Sequence, residues 1–279
     1  MAAQDFIQAL DRHVAWGLTD VDLKDGIFGK YVLDLNEAEA RRAAEELAER
    51  KLSVHCLSTG LLFKMVEEGE RAFRKAYVPQ LDAAIRTARH LRAHSVRLLS
   101  ARTVRHNELT DAIAYTRAEH PWLMPLYREF VDRLHDAGLT ACIENEVGGN
   151  IFSSPGEIVE FFEELDRPGK AIFTWDLVNL WQEGAFPSAA VYRQLKPFIG
   201  YLHVKGGRSE VPGGPLHWAS TLAEASWPAK ELLTQIVRDG VAPVICLNPP
   251  HGVVREELCG TDVTAQDVAF VKAVIAEAQ

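Results

Sequence analysis

The chain predicts an α/β fold, a parallel (β/α)8 barrel built as one domain over residues 1–279. Three observations point there. Strand-like apolar runs alternate with helical patterns from end to end, which signals a parallel sheet covered by helices rather than segregated layers. Four of these runs close on a residue that can bind a metal or move a proton: Ile143-Glu144, Trp175-Asp176, Leu202-His203 and Leu247-Asn248. The first two intervals between those residues are each about one repeat, since ~250 residues shared among eight units gives roughly 31. The third interval has room for one more short unit. A barrel collects the C-terminal ends of its strands on one face, so residues far apart in sequence meet at a single mouth.

Taken in order, the first strand is expected at 14–18 (VAWGL), and Asn36 to Leu52 reads as an Ala/Glu/Arg-rich outer helix with a charged exposed face. A second strand follows at 53–57. The stretch Gly60–Pro79 is expected to be a long connection, leading to a helix whose Leu81, Ile85, Ala88 and Leu91 recur at helical spacing. After a strand at 96–100 and a second long connection, Thr103–Pro121, the spacing of Leu123, Tyr127, Phe130 and Leu134 predicts another helix. Asp136-Ala137-Gly138 ends it, and a strand at 141–145 follows. Ser154-Pro155-Gly156-Glu157 is a helix start, with a capping serine, proline at the first helical position and a glutamate placed to cap back. Strands at 171–176 and 201–205 come next. Gly206–Ser220 is a third long, glycine- and proline-containing connection; all three long connections emerge on the mouth face, where loops commonly cover substrate. A short strand at Thr221-Leu222-Ala223 and one at 243–248, preceded by the helix-ending Asp239-Gly240, complete eight.

Composition narrows the function. The chain is 47% hydrophobic and 25% charged, an ordinary globular balance, and its net charge of −9 with no basic stripe argues against nucleic acid as a partner. Charges at Asp5, Asp11 and Arg12 interrupt the start, so no secretory signal is read there. No apolar run reaches the ~20 residues of a membrane span. Cys56, Cys142, Cys246 and Cys259 have no C-x-x-C spacing, which fits reduced thiols in the cytoplasm.

Alternation along a strand decides which side chains face the barrel interior. Glu144 shares its face with Cys142, Asp176 with Thr174, His203 with Lys205, and Asn248 with Cys246. Two carboxylates, an imidazole and an amide oxygen form a mostly hard ligand set suited to Mn2+ first, and also to Mg2+, Co2+ or Zn2+. Without a cation the carboxylates would repel one another. Cys142 and Cys246 read as small core fillers; both within reach of the cation would make softer, zinc-like coordination.

The segments Ile143-Glu144-Asn145-Glu146, Trp175-Asp176-Leu177-Val178-Asn179, Leu202-His203-Val204-Lys205 and Leu247-Asn248-Pro249-Pro250-His251 resemble the xylose isomerase-like barrels of the sugar phosphate isomerase/epimerase family. Leu222-Ala223-Glu224-Ala225-Ser226-Trp227 is similar to that family's short seventh unit. The resemblance covers nearly the whole chain, and its specificity lies in the order and spacing of the segments together. It implies a divalent metal held by Glu144, Asp176, His203 and Asn248. The last is a departure, an amide where the family has a carboxylate, which lowers metal affinity and removes a base. Glu146 and Asn179 stand where the family often has His, and Gly206 where Asp commonly follows the sixth-strand Lys.

The resemblance further implies a carbohydrate-like small-molecule substrate, proton transfer beside a polarised carbonyl through an enediolate, and a homodimer or homotetramer. Glu144 belongs to the catalytic set as well as to the metal set. With Asn248 neutral, a one-base reaction fits what remains, either isomerisation or β-elimination by a lyase, with Glu146 as the base and Lys205 holding a substrate oxygen. A barrel that binds carbohydrate without turnover is a further reading. DNA cleavage at abasic sites ranks last, because the chain lacks the many His ligands such barrels use. His55 reads either as a core histidine or as a substrate contact, and His251 as a substrate contact, a replacement ligand or a loop residue. Trp16 and Trp175 are either core packing or an apolar wall for a sugar ring.

Overall fold

The computed structural model describes residue 3, residues 5–259 and residues 262–279. Seven parallel strands form one sheet curved into a nearly closed barrel: β1 (Asp20–Leu23), β2 (Ser53–Leu61), β3 (Ser95–Leu99), β4 (Thr140–Glu144), β5 (Ala171–Asp176), β6 (Ile199–Val204) and β9 (Ile245–Leu247), hydrogen-bonded in that order. A small antiparallel hairpin, β7 (Arg208–Ser209) and β8 (Leu216–Trp218), stands apart from it. The covering helices are α1 (Phe6–Ala15), α2 (Glu37–Glu49), α3 (Glu70–Leu91), α4 (Ala112–Glu119), α5 (Leu123–Asp136), α6 (Pro155–Leu165), α7 (Leu177–Gln182), α8 (Ala189–Leu195), α9 (Ala229–Asp239) and α10 (Val263–Ala278). None of the described helices is long and apolar enough to cross a membrane.

Local chemistry explains most of these boundaries. Asn36 and Glu39 form a reciprocal capping box on α2, and Ser154 and Glu157 form the one expected on α6 with Pro155 in its first turn. The end of β3 is fixed from the helix layer: the Tyr127 hydroxyl of α5 donates to the Leu99 carbonyl and accepts from the Ala101 N–H, each at 2.7 Å.

Three expectations need correction. VAWGL is not a strand. Val14 and Ala15 are the exposed end of helix α1, whose buried positions are Phe6 and Leu10, Trp16 is its C-cap, and the strand is the acidic-apolar Asp20–Leu23 that follows. Gly60–Pro79 is not a loose connection. The 22-residue α3 begins at Glu70 and runs through Pro79, because its buried Phe73, Tyr77, Leu81, Ala84 and Ala88 offset the ~3 kcal/mol that an interior proline costs. Thr221-Leu222-Ala223 does not join the sheet: the Leu222 N–H is taken by the Asp267 carboxylate of α10 at 2.7 Å, where a ladder partner would otherwise be.

Candidate functional site at the barrel mouth

The strand ends carry a cluster of charges buried to an unusual degree. Glu144, Asp176, His203 and Lys205 are each no more than 2% exposed. Asp176 pairs in register with His203 across β5 and β6, and both project into the barrel. Glu144 Oε1 lies 2.8 Å from His203 Nδ1, and Glu144 Oε2 accepts from Arg97 Nη1 at 2.7 Å. Arg97 in turn donates to the carbonyls of Thr59 (3.0 Å) and Ser58 (3.3 Å), so the guanidinium is pinned by β2 and β4. Burial alone would raise the Glu144 pKa, but the charges of His203 and Arg97 outweigh it and hold the carboxyl down at about 2. Burial alone would likewise neutralise His203, and the Glu144 carboxylate overrides it, raising the imidazole well above its ordinary value.

A second group adjoins the first. Asp176 Oδ1 caps α7, accepting from the N–H groups of Val178 and Asn179 at 3.1 and 2.9 Å. Its Oδ2 is held by Lys205 Nζ in a buried ion pair at 2.8 Å. Lys205 donates to Asn179 Oδ1 at 2.9 Å, and Asn179 Nδ2 donates to Glu146 Oε1 at 2.9 Å. Lys205 Nζ also meets His251 Nε2 at 3.3 Å, whose Nδ1 lies 2.9 Å from Gln182 Nε2. Burial and the neighbouring Glu144 charge raise the Glu146 pKa, and burial lowers that of His251. Asn145 locks the two loops together by exchanging hydrogen bonds with the Asp176 backbone at 2.9 and 3.0 Å.

Two of the expected connections, Thr103–Pro121 and Gly206–Ser220, make contacts with segments that follow β4 and β5. Glu183 accepts from the Gly148 N–H at 3.0 Å and meets His106 Nε2 at 3.1 Å, tying together segments that follow β3, β4 and β5. Trp181 Nε1 donates to the Gly214 carbonyl at 2.9 Å and holds the β7–β8 hairpin. Gly206 has a steric reason to be glycine: a Cβ there would sit 1.9 Å from the Ser220 carbonyl oxygen.

Several expected residues thus meet: Glu144, Glu146, Asp176, Asn179, His203, Lys205 and His251. Asn248 is near them but turned downward, its Oδ1 3.7 Å from the Cys246 thiol. Trp16 is the C-cap of α1, before β1 begins, and so lies toward the other end of the barrel. Trp175 points outward, fully buried and stacked on Tyr192 of α8 at 6.3 Å. His55 sits in the early half of β2 with its ring 4.6 Å from Tyr201 and 6.4 Å from His94, the residue that precedes β3, which is packing away from the mouth. Arg97, Asp22, Asn145 and Gln182 were missed. A lone arginine inside Val96-Arg97-Leu98-Leu99 was a readable signal, since an unpaired charge in a buried strand is costly. Asp22 was lost with the misplaced first strand.

Glu144, Asp176 and His203, two carboxylates and an imidazole, suit a hard divalent cation: one donor atom from each lies within 4.8 Å of the others. Among solved structures, a xylose isomerase-like TIM barrel protein from Mycobacterium smegmatis in complex with magnesium superimposes with a TM-score of 0.71 at 16% identity, covering 98% of this chain and 89% of that one. The probable 3-DHS dehydratase AsbF from Bacillus anthracis, involved in petrobactin synthesis, gives 0.72 at 15% identity over 96% and 93%. An L-ribulose 3-epimerase gives 0.69 at 17% identity over 99% and 91%. At such identities the likeness is one of fold. No curated protein matches the chain in sequence. The profile of the xylose isomerase-like TIM barrels matches residues 10–224, more than half of the chain, and the protein belongs to that family.

Proposed function

We propose that the protein is a divalent-metal-dependent isomerase or epimerase of a sugar or sugar-derived keto or hydroxy compound, working with a single base. The observation that carries this reading is the row Glu146–Asn179–Lys205, hydrogen-bonded end to end beside the Glu144, Asp176 and His203 donors. Those three residues would hold the cation, Mn2+ being the best match to two carboxylates and one imidazole. When bound, it supplies Lewis-acid polarisation of the substrate carbonyl.

The chain's own groups divide the remaining work. Glu146 removes the proton from the carbon beside the carbonyl and returns it to the neighbouring carbon. Its burial near Glu144 raises its proton affinity toward what a base requires. Lys205 faces the developing negative charge on the substrate oxygen, and Asn179 fixes the distance between base and cation. Glu144 is a poor base, because Arg97 and His203 hold its charge in place. Asn248 carries no charge, so the opposite-face partner that a two-base epimerisation needs is missing. The free cysteines suit a reducing cytoplasm.

The contact between Lys205 and His251 favours one second reading. A proton donor pair there would protonate a departing hydroxyl, turning the same proton abstraction into a β-elimination. Product mass separates the two: isomerisation leaves it unchanged, whereas elimination loses water. The test is protein purified without chelator, assayed with and without added Mn2+ or Co2+ on a panel of aldoses, ketoses and keto acids. Absence of bound metal together with absence of activation by either cation overturns both enzyme readings. Wild-type turnover in Glu144→Ala or His203→Ala overturns the site.

A further inference from the structure

One layer below the mouth, Asp22 of β1, His203 of β6 and Cys246 of β9 gather where the first and last strands of the sheet come together. One donor atom of each lies within 4.8 Å of the others. His203 and Cys246 are register partners across β6 and β9. The Tyr201 hydroxyl donates to Asp22 Oδ2 at 3.0 Å, leaving Asp22 Oδ1 buried without a partner. His203 Nε2 faces Asp22 Oδ2 at 3.5 Å and has no hydrogen-bond partner, although the side chain is 98% buried. Two buried polar atoms short of good hydrogen-bond geometry, Asp22 Oδ1 and His203 Nε2, thus lie in a cluster with a thiol.

Glu144 Oε1 lies 2.8 Å from His203 Nδ1, so that side of the ring is held by the mouth. The other ring nitrogen, Nε2, is directed inward toward Asp22 and Cys246. A carboxylate that orients a histidine through one nitrogen so that the other binds metal is a recurring device, and Arg97 steadies that carboxylate from behind. We propose that Asp22, His203 Nε2 and Cys246 form a zinc site inside the barrel, distinct from the Glu144/Asp176/His203 set, with the Asn248 amide oxygen next to the thiol at the fourth side.

A mixed carboxylate, imidazole and thiolate set is softer than the mouth set and selects Zn2+ over Mn2+ or Mg2+. Binding releases to solvent the thiol proton and the proton that the isolated imidazolium holds on Nε2. A neutral imidazole has one lone pair, so zinc at the inner set and a hard cation using Nδ1 at the mouth exclude each other. Zinc thus locks His203 away from the mouth. The inference shares His203 with the proposed reaction, but its test is read from bound metal and needs no substrate.

Cobalt is the probe. Adding Co2+ to metal-free protein should give an intense near-ultraviolet thiolate-to-cobalt charge-transfer band that saturates at one equivalent, is displaced by Zn2+, persists in Asp176→Asn and is lost in Cys246→Ser. Asp22→Asn should weaken Co2+ binding by about 10- to 100-fold, as loss of a metal-site partner does. X-ray absorption at the zinc edge of the wild-type complex, which needs no variant to fold, should show one sulfur neighbour at about 2.3 Å. Saturation with either metal without a sulfur neighbour overturns the site. So does a thiolate band that survives in Cys246→Ser, or a failure of Co2+ and Zn2+ to bind. Lack of Mn2+-dependent turnover in protein free of zinc and cobalt, whose cobalt band forms normally on later addition of Co2+, would instead fault the proposed reaction alone.

Discussion

Arg97, Glu144 and His203 are carried by strands and joined charge to charge, whereas Glu146, Asn179 and His251 are carried by loops and a one-turn-and-a-half helix and joined through amides. The strand half is buried and the loop half partly so, and their carboxylates shift in opposite directions: Glu144 is held down at about 2 and Glu146 is raised. The difference lies in what surrounds each one. A buried carboxylate flanked by a guanidinium and an imidazole keeps its charge, and one flanked by an amide and another carboxylate gives it up more readily. In the proposed reaction the strand half therefore holds charge and the loop half moves the proton.

The largest effect should come from breaking that division at its acid-base member. Glu146→Gln keeps the shape and the Asn179 contact but removes the base. We expect kcat to fall by about 10²- to 10⁴-fold, with unchanged circular dichroism and unchanged Mn2+ affinity in a competition titration. Wild-type turnover would mean that the two halves have their roles reversed.

Arg97→Leu probes the other half. It strands Glu144 with only the imidazole for company, and breaking a buried pair from one side costs about 3–5 kcal/mol. Urea unfolding should register that loss in metal-free protein. Because the freed carboxylate is a better metal ligand, added Mn2+ should raise the Tm of the variant more than that of the wild type. An equal increment in both would show that Arg97 does not compete with the cation.

Asn179→Ala tests the seam between the halves. The amide accepts from Lys205 and donates to Glu146, so its loss leaves both groups in place but unaligned. About a tenfold fall in kcat, roughly 1.4 kcal/mol, is expected with KM little changed. A change in KM alone would assign Asn179 to substrate binding.

The two halves were also unequally legible in the sequence. Strand ends are rigidly spaced, so Glu144, Asp176, His203 and Lys205 could be placed from alternation and repeat length alone. Asn179 was reached by resemblance, and its pairing with both Glu146 and Lys205 depends on Asp176 starting α7 as its cap, a local contact that no period reveals. Asp22 was hidden because VAWGL, the end of α1 and the turn after it, is apolar in sequence without being buried, and so mimics a short strand. Pro79 misled in the same way: a breaker locally, it is overruled by the face of α3 that the barrel buries. Gly206 read as a departure from the family and proved to be a contact with the Ser220 backbone, which only three-dimensional proximity discloses.

A third buried carboxylate sharpens the comparison from outside the mouth. Asp267 of α10 accepts from the Leu222 N–H at 2.7 Å, and no cation among the described residues offsets its burial. Burial, aided by Glu224, therefore lifts its pKa to about 6, the opposite of Glu144 under similar burial. The sign of its effect on stability follows. A folded-state pKa above the unfolded value means that the native state binds the proton more tightly, so this contribution is fully present below the ordinary aspartate range and is lost as pH rises through about 6. Glu144 acts the other way, contributing above the ordinary glutamate range and losing that contribution as pH falls toward 2. Asp267→Asn keeps an oxygen for Leu222 and cannot ionise. Urea unfolding at about pH 8 should find the variant more stable than wild type by on the order of 1 kcal/mol, and at about pH 4 the gap should close. A gap that stays constant across that range would mean that Asp267 remains ionised, and that burial without a cationic partner does not suffice to neutralise a carboxylate in this barrel.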